Sequence, residues 1–152
     1  MSKPVQRIYV DTSVIGGCCD EEFADESRKL LALAAKGGAI LLVSDLVIAE
    51  LMAAPLAVQQ VLTRIPPAGM EEVRASDNSR ALRDAYLAAR VVGPAHINDA
   101  HHVALATVAR ADMIVSWNFK HIVHYDKIRG FNAVNLREGY DAIAIYSPLE
   151  VV

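Results

Sequence analysis

Three acids, Asp11, Glu50 and Asp99, each border an apolar run, where a carboxylate is costly without a role or a route to solvent. The β-prone run Ile8-Tyr9-Val10 stops at Asp11-Thr12-Ser13, so Asp11 should emerge at a sheet edge. Glu50 lies one position beyond Ala49, on the shoulder of a helical face made by Leu46, Ala49 and Ala53. Asp99 falls in the first turn of a helical run, a place that favours negative charge whether or not anything binds there. Carboxylates brought to one rim repel, and a cation must offset them. Oxygen ligands with no Cys and no obligatory His select Mg²⁺ or Mn²⁺. Such an ion acidifies a bound water and offsets charge growing on phosphoryl oxygens, so the chemistry expected is phosphodiester hydrolysis. Asp11 is then the bridging ligand and Asp99 the second direct one. Glu50 is either a ligand through water or the acceptor of the attacking water's proton, and Asn118 positions a bound water. Thr12 and Ser13 lack a Lys or His base at a recognised spacing, so neither is read as a nucleophile.

The elements that must position these groups alternate between strand and helix. Residues 5–10 read as a strand, Gly16-Gly17 as a turn, and a helix from about Asp20 stops at Gly37-Gly38. The apolar run 39–43 suits a central parallel strand, and Ser44 caps a helix from Asp45 that Pro55 ends or kinks. A short helix is predicted over 56–65, an edge strand over 70–75, and a helix capped by Ser76 or Asp77 up to about Arg90. A small-residue helix over 96–110 leads into a buried strand over 113–116, which ends at Ser116 and Asn118. A helix over 119–128, a strand over 133–135, an alternating stretch over 142–146 and a turn at Pro148 before an apolar tail complete the chain. Repeated crossovers of this kind predict an α/β fold with a central, mostly parallel sheet covered on both faces. In such sheets ligands collect beyond the carboxyl ends of strands, where Asp11, Asp99, Ser116 and Asn118 can meet and Glu50 can reach.

A chain of 152 residues fits one domain spanning 1–152, and 53% apolar against 22% charged residues excludes general disorder. No apolar run approaches the about 18 residues of a membrane span, and the N-terminus lacks a secretory plan, so a cytoplasmic protein without a membrane partner is expected. The adjacent Cys18 and Cys19 read as free thiols. A net charge of −3 argues against holding nucleic acid by bulk attraction alone. Within residues 119–137, however, Lys120, Lys127, Arg129 and Arg137 face the single acid Asp126, with His121 and His124 beside them. That stretch either touches phosphates or is an ordinary solvated face, and Lys120, His121 and Arg129 are its candidate contacts. Trp117 either stacks on an unpaired base or packs beneath the site. The histidines 96, 101, 102, 121 and 124 lack a zinc spacing.

Asp11-Thr12-Ser13, Ser44-Asp45-Leu46 followed by Glu50, Asn98-Asp99-Ala100 opening Ala104-Leu105-Ala106-Thr107, and Ser116-Trp117-Asn118-Phe119-Lys120-His121 together resemble the PIN-domain nucleases, in particular the toxin-like branch related to VapC. The resemblance covers nearly the whole chain. It implies a three-layer α/β/α sandwich with a parallel sheet and Mg²⁺- or Mn²⁺-dependent endoribonuclease action on RNA. Asp11, Glu50 and Asp99 match the family's acids, Thr12 or Ser13 the hydroxyl that supports the first of them, and Asn118 a position often held by Asp. His121 stands where many relatives have another acid. Homodimers and inhibition by a small antitoxin protein are further implications. The competing expectation is a non-catalytic module of the same fold that binds RNA or protein.

Overall fold

The computed structural model describes residues 4–152. Its centre is a sheet of five strands, β1 (Gln6–Val10), β2 (Ala39–Ser44), β3 (Met70–Val73), β4 (Met113–Val115) and β5 (Ala144–Tyr146). All neighbours pair in parallel, in the order β3-β2-β1-β4-β5. Around it lie α1 (Thr12–Gly17), α2 (Ala24–Ala35), α3 (Asp45–Leu51), α4 (Leu56–Gln59), α5 (Asp77–Ala88), α6 (Ile97–Val108), α7 (Tyr125–Arg137) and α8 (Pro148–Val151).

Alternate residues of the central strands feed two separate cores. Ile8, Val10, Leu41, Val43 and Val115 pack with Val14, Leu30, Leu31, Val47 and Leu51 on one face. Tyr9, Leu42, Ile114 and Ile145 pack with Leu82, Tyr86, Val103, Ala104, Phe131 and Val134 on the other. A strand covered on both sides must be apolar throughout, which is why the runs in β1, β2 and β4 are nearly uninterrupted. Each such side chain contributes about 1.5–3 kcal/mol on burial. The result is the three-layer α/β/α arrangement.

Strand order reverses between β1 and β4, which opens a crevice at their carboxyl ends. Val10 and Val115 are register partners, so the next residues, Asp11 and Ser116, flank that crevice. The opposite end of the sheet is fastened by Arg7. Its guanidinium pairs with Glu71 across β2 and donates to the carbonyls of Ala109 (3.2 Å) and Arg110 (3.0 Å) just past α6, while its backbone N–H donates to Asp112 at 2.7 Å.

Several boundaries differ from those predicted, each for a local reason. Gly16-Gly17 is not a turn after β1 but the end of α1, because Asp11 caps that helix by accepting from Val14 N–H. Residues 20–23 form a turn in which Asp20 accepts from Glu22 N–H at 2.9 Å, so α2 starts at Ala24. Residues 56–65 split into α4 and a 3₁₀ turn, Val61–Arg64. Residues 119–124 are non-helical, and α7 instead runs through the segment 133–135 predicted as a strand. Gly130 does not break α7, since a Cβ there would meet Val91 Cγ1 at 3.0 Å; the glycine allows close packing. Asn135 turns inward to Tyr86 and to Thr107 (3.3 Å), so a polar residue is held within the helix's buried face. The apolar tail forms α8, opened by Pro148 and packed on α2.

The edge strand β3 and the cap at Ser76 match the sequence reading. Ser76 and Ser79 form a reciprocal capping box at the start of α5. Ser76→Ala is expected to cost about 1 kcal/mol of stability, read by urea denaturation. Among the described residues no helix is long and apolar enough to cross a membrane. Cys18 is buried, which pushes its thiol up to about 11, and Cys19 is exposed; both are free.

Candidate active site

Asp11 sits at the end of β1, only 4% exposed, with both carboxylate oxygens in use. Oδ1 accepts from Ser13 Oγ (2.6 Å) and Val14 N (3.3 Å), and Oδ2 accepts from Ser116 Oγ (2.6 Å). The two hydroxyls are themselves held, Ser13 Oγ accepting from Trp117 N and Ser116 Oγ from Asn118 N, each at 2.9 Å. The carboxylate therefore joins the ends of β1 and β4 through bridging serines. Ser13 and Ser116 are its supporting hydroxyls, whereas Thr12 serves a different acid. Burial raises the Asp11 pKa above the usual carboxylate range, against the opposing hydrogen bonds from Ser116, Ser13 and Val14.

Glu50, in the last turn of α3, is pinned by one oxygen. Oε1 accepts from Thr12 Oγ1 (2.8 Å) and His102 Nε2 (2.6 Å). Among the described residues no hydrogen bond reaches Oε2. Burial alone would raise this acid, but the hydrogen bonds from His102 and from the Thr12 hydroxyl outweigh it and hold the carboxyl below its usual range. His102 is itself buried, and its Nδ1 lies 2.8 Å from Tyr9 OH. Tyr9 OH lies 2.7 Å from Ser44 Oγ, which accepts from Val47 N–H and so caps α3. Sequence reasoning grouped His102 with the other histidines. The available signal was its place three residues after Asp99 on the apolar face of α6, one turn from an acid.

Asp99 occupies the first turn of α6, with its side chain about a quarter exposed and Oδ2 3.4 Å from His96 Nδ1. The His96 ring stacks on His121 at 3.5 Å and 24°. His121 N–H donates to Asn118 Oδ1 at 2.9 Å, so that oxygen closes a turn and the amide N–H groups of Asn118 are what remain for a ligand. The imidazole of His121 is pulled down by burial and by its neighbour His96. Glu50 is thus tied to Thr12, the residue after Asp11, and Asp99 joins a string with His96, His121 and Asn118. Among the described residues no three His, Cys, Asp or Glu side chains are gathered as one metal-ligand set. Asp11 is held by hydroxyl and amide donors, and Glu50 by a hydroxyl and an imidazole on one oxygen.

A family model described as the PIN domain matches residues 8–128. The chain belongs to the PIN-domain family. Among solved structures it is similar to a chain of VapBC2 from Rickettsia felis bound to a DNA fragment from their promoter, at 16% identity and a TM-score of 0.57. The likeness covers 93% of this chain and 98% of that chain, and at such identity it is one of fold. No curated protein matches the sequence.

In this PIN domain the segment after β4 divides its labour between packing and exposure. Trp117 is 7% exposed, stacked on Phe23 at 4.3 Å, and its Nε1–H donates to Ser27 Oγ at 2.8 Å. Of its two sequence readings the structure has the packing one: the ring lies beneath the site and ties the post-β4 loop to α2. The exposed aromatics there are Phe119 and Tyr125. Lys120 and Arg129 are exposed, the latter with its guanidinium 5.5 Å from the Tyr125 ring centroid. Lys127 instead donates to Val91 O at 2.8 Å.

Proposed function

We propose that this PIN-domain protein is a divalent-metal-dependent endoribonuclease that hydrolyses RNA phosphodiesters with a metal-activated water, and that it serves as the toxin of a toxin–antitoxin pair. The observation that carries the reading is the buried carboxyl of Asp11 at the sheet's switch point, which forms no salt bridge among the described residues. A buried carboxylate without a cation calls for one. The donors within reach are oxygens, which suits Mg²⁺ or Mn²⁺ and not zinc. Asp11, the open oxygen of Glu50, and Asp99 are the residues that would hold the ion. When bound, it lowers the pKa of a water and offsets charge on the phosphoryl oxygens.

The protein's own groups have separable tasks in this reading. Ser13 and Ser116 fix the orientation of Asp11. Glu50, held ionised by His102 and Thr12, is a poor proton acceptor, which favours its role as a ligand over that of general base. Asn118 offers amide N–H groups to the oxygen of a water. Lys120, His121 and Arg129 face the RNA phosphates. The fold shared with VapBC2 supports an antitoxin partner, and we extend the reading to a single domain over 1–152 that acts as a cytoplasmic homodimer.

One observation favours a second reading, a module that binds RNA or protein without cutting. Glu50 is engaged by His102, and among the described residues no three-group ligand set is closed. Incubating the protein with RNA, DNA and small phosphoesters in Mn²⁺, with and without a chelator, separates the two. Chelator-sensitive cleavage of RNA alone is the expected result. RNA left intact, together with no Mn²⁺ heat in calorimetry, favours the module. Cleavage of DNA or small esters at equal rate removes the assignment to RNA.

A further inference from the structure

The least conventional feature of the site is the buried chain of hydrogen bonds behind Glu50. It begins at Val47 N–H, passes through Ser44 Oγ and Tyr9 OH to His102 Nδ1, and leaves from His102 Nε2 to Glu50 Oε1, with separations of 3.1, 2.7, 2.8 and 2.6 Å. The donors can be assigned by counting. Val47 N–H can only donate, so Ser44 Oγ accepts there and has its own O–H to give. Among the described residues only Tyr9 OH is placed to take it, so the tyrosine hydroxyl accepts from Ser44 and donates to Nδ1. Nδ1 is then an acceptor, and the single ring N–H of His102 is on Nε2, aimed at Glu50. Reversing the chain would leave the Ser44 hydroxyl proton without an acceptor. Every buried polar atom is satisfied in one direction only, and among the described residues none is left unpaired.

The chain also closes on itself. Ser44 caps the start of α3, and Glu50 lies in that helix's last turn, so both ends of a seven-residue helix are tied to one imidazole. Thr12 and His102 both donate to Oε1, leaving Oε2 as the free face of the carboxylate. We infer that His102, with its tautomer set by Tyr9, is a positioning residue that pins Glu50 by Oε1 and so presents Oε2 to the divalent ion. The inference rests on the metal-dependent reading above, but concerns how this chain prepares one ligand. It differs from a packing role because it depends on a donor at Nε2 and not on the volume of the ring. Partners of this kind, which orient a ligand from behind, change metal affinity by about 10–100-fold when removed.

Calorimetric titration of Mn²⁺ into the full chain without RNA reads this directly. His102→Leu fills the space but gives no donor, and is expected to bind Mn²⁺ at least about tenfold more weakly. His102→Gln, whose amide N–H reaches toward the Nε2 position, is expected to recover most of the loss. Tyr9→Phe, which leaves the imidazole without its tautomer lock, should fall between wild type and His102→Leu. In cleavage assays the same variants should need more Mn²⁺ for half-maximal rate while changing kcat less. A packing role would lower thermal stability in all three variants but leave Mn²⁺ affinity of the folded protein unmoved. His102→Leu binding Mn²⁺ as tightly as wild type overturns the inference and leaves the metal reading standing. A wild-type protein that binds no Mn²⁺ overturns both. Should His102→Leu fail to fold, Tyr9→Phe and nitrogen-detected NMR of the wild-type imidazole carry the test. The Nε2–H tautomer is expected for His102, and finding the proton on Nδ1 overturns the proposal.

Discussion

Asp11→Asn is expected to lose cleavage and gain stability together. The loss follows from the proposed role: removing the charge that holds the ion forfeits several kcal/mol of transition-state stabilisation, about a thousandfold in rate or more. The gain follows from burial. Asp11 has a raised pKa in the folded protein, whereas an unfolded chain keeps it near about 3.9. Between those two values the folded state binds more protons than the unfolded one, so stability falls as pH rises through that window. Below the unfolded value the penalty vanishes; above the folded value it is fully present, and neutral pH therefore carries the largest cost. Asparagine keeps one oxygen acceptor for a serine hydroxyl and removes the buried charge, for a net gain on the order of 1 kcal/mol at neutral pH. Urea denaturation from pH 4 to 8 measures it: the gap between variant and wild type should widen with pH. Mn²⁺ should raise the Tm of wild type and leave that of the variant unchanged. Cleavage by Asp11→Asn at the wild-type rate under saturating Mn²⁺ would remove Asp11 from the mechanism.

Gly17→Ala is the second large effect, and it couples packing to the site. A Cβ at Gly17 would lie 2.6 Å from Ser27 Oγ and 2.8 Å from Trp117 Nε1, at the hydrogen bond that anchors Trp117 to α2. Neither atom can yield cheaply, because Trp117 is stacked on Phe23 and Ser27 is fully buried. Such overpacking costs about 1–3 kcal/mol. Moving Trp117 also moves its backbone N–H away from Ser13 Oγ, the hydroxyl that supports Asp11. The variant should therefore unfold at lower urea and also bind Mn²⁺ more weakly while still folded. Stability equal to wild type would mean that the tryptophan has slack and that the coupling is absent.

The parts of the fold that could be read in advance are those where one local signal dominates. β1, β2 and β4 are buried on both faces, and their uninterrupted apolar runs had no competing interpretation. Asp11 was legible because an acid at the end of such a run needs a reason. α1 was hidden, since six residues ending in two glycines carry little helix propensity and the decisive cap comes from Asp11 itself. The strand expected over 133–135 is part of α7, whose Gly130 answers to Val91, 39 positions earlier in the chain. His102 shows the same limit at the site. Its spacing from Asp99 was visible, but its partner Glu50 is 52 positions away and no periodicity connects them. The bridging serines were half visible: Ser13 and Ser116 each follow a strand, but their shared carboxylate exists only once those strands are neighbours.

That neighbour relation has a consequence for the order of events during synthesis. Asp11 leaves the ribosome early, but its Ser116 partner follows 105 positions later, and β1 meets β4 only after that long loop has closed. A nascent chain of the first hundred residues carries the acids without the crevice that orients them. Under the proposed RNA-cutting function, the topology itself keeps the blade sheathed until translation has passed β4.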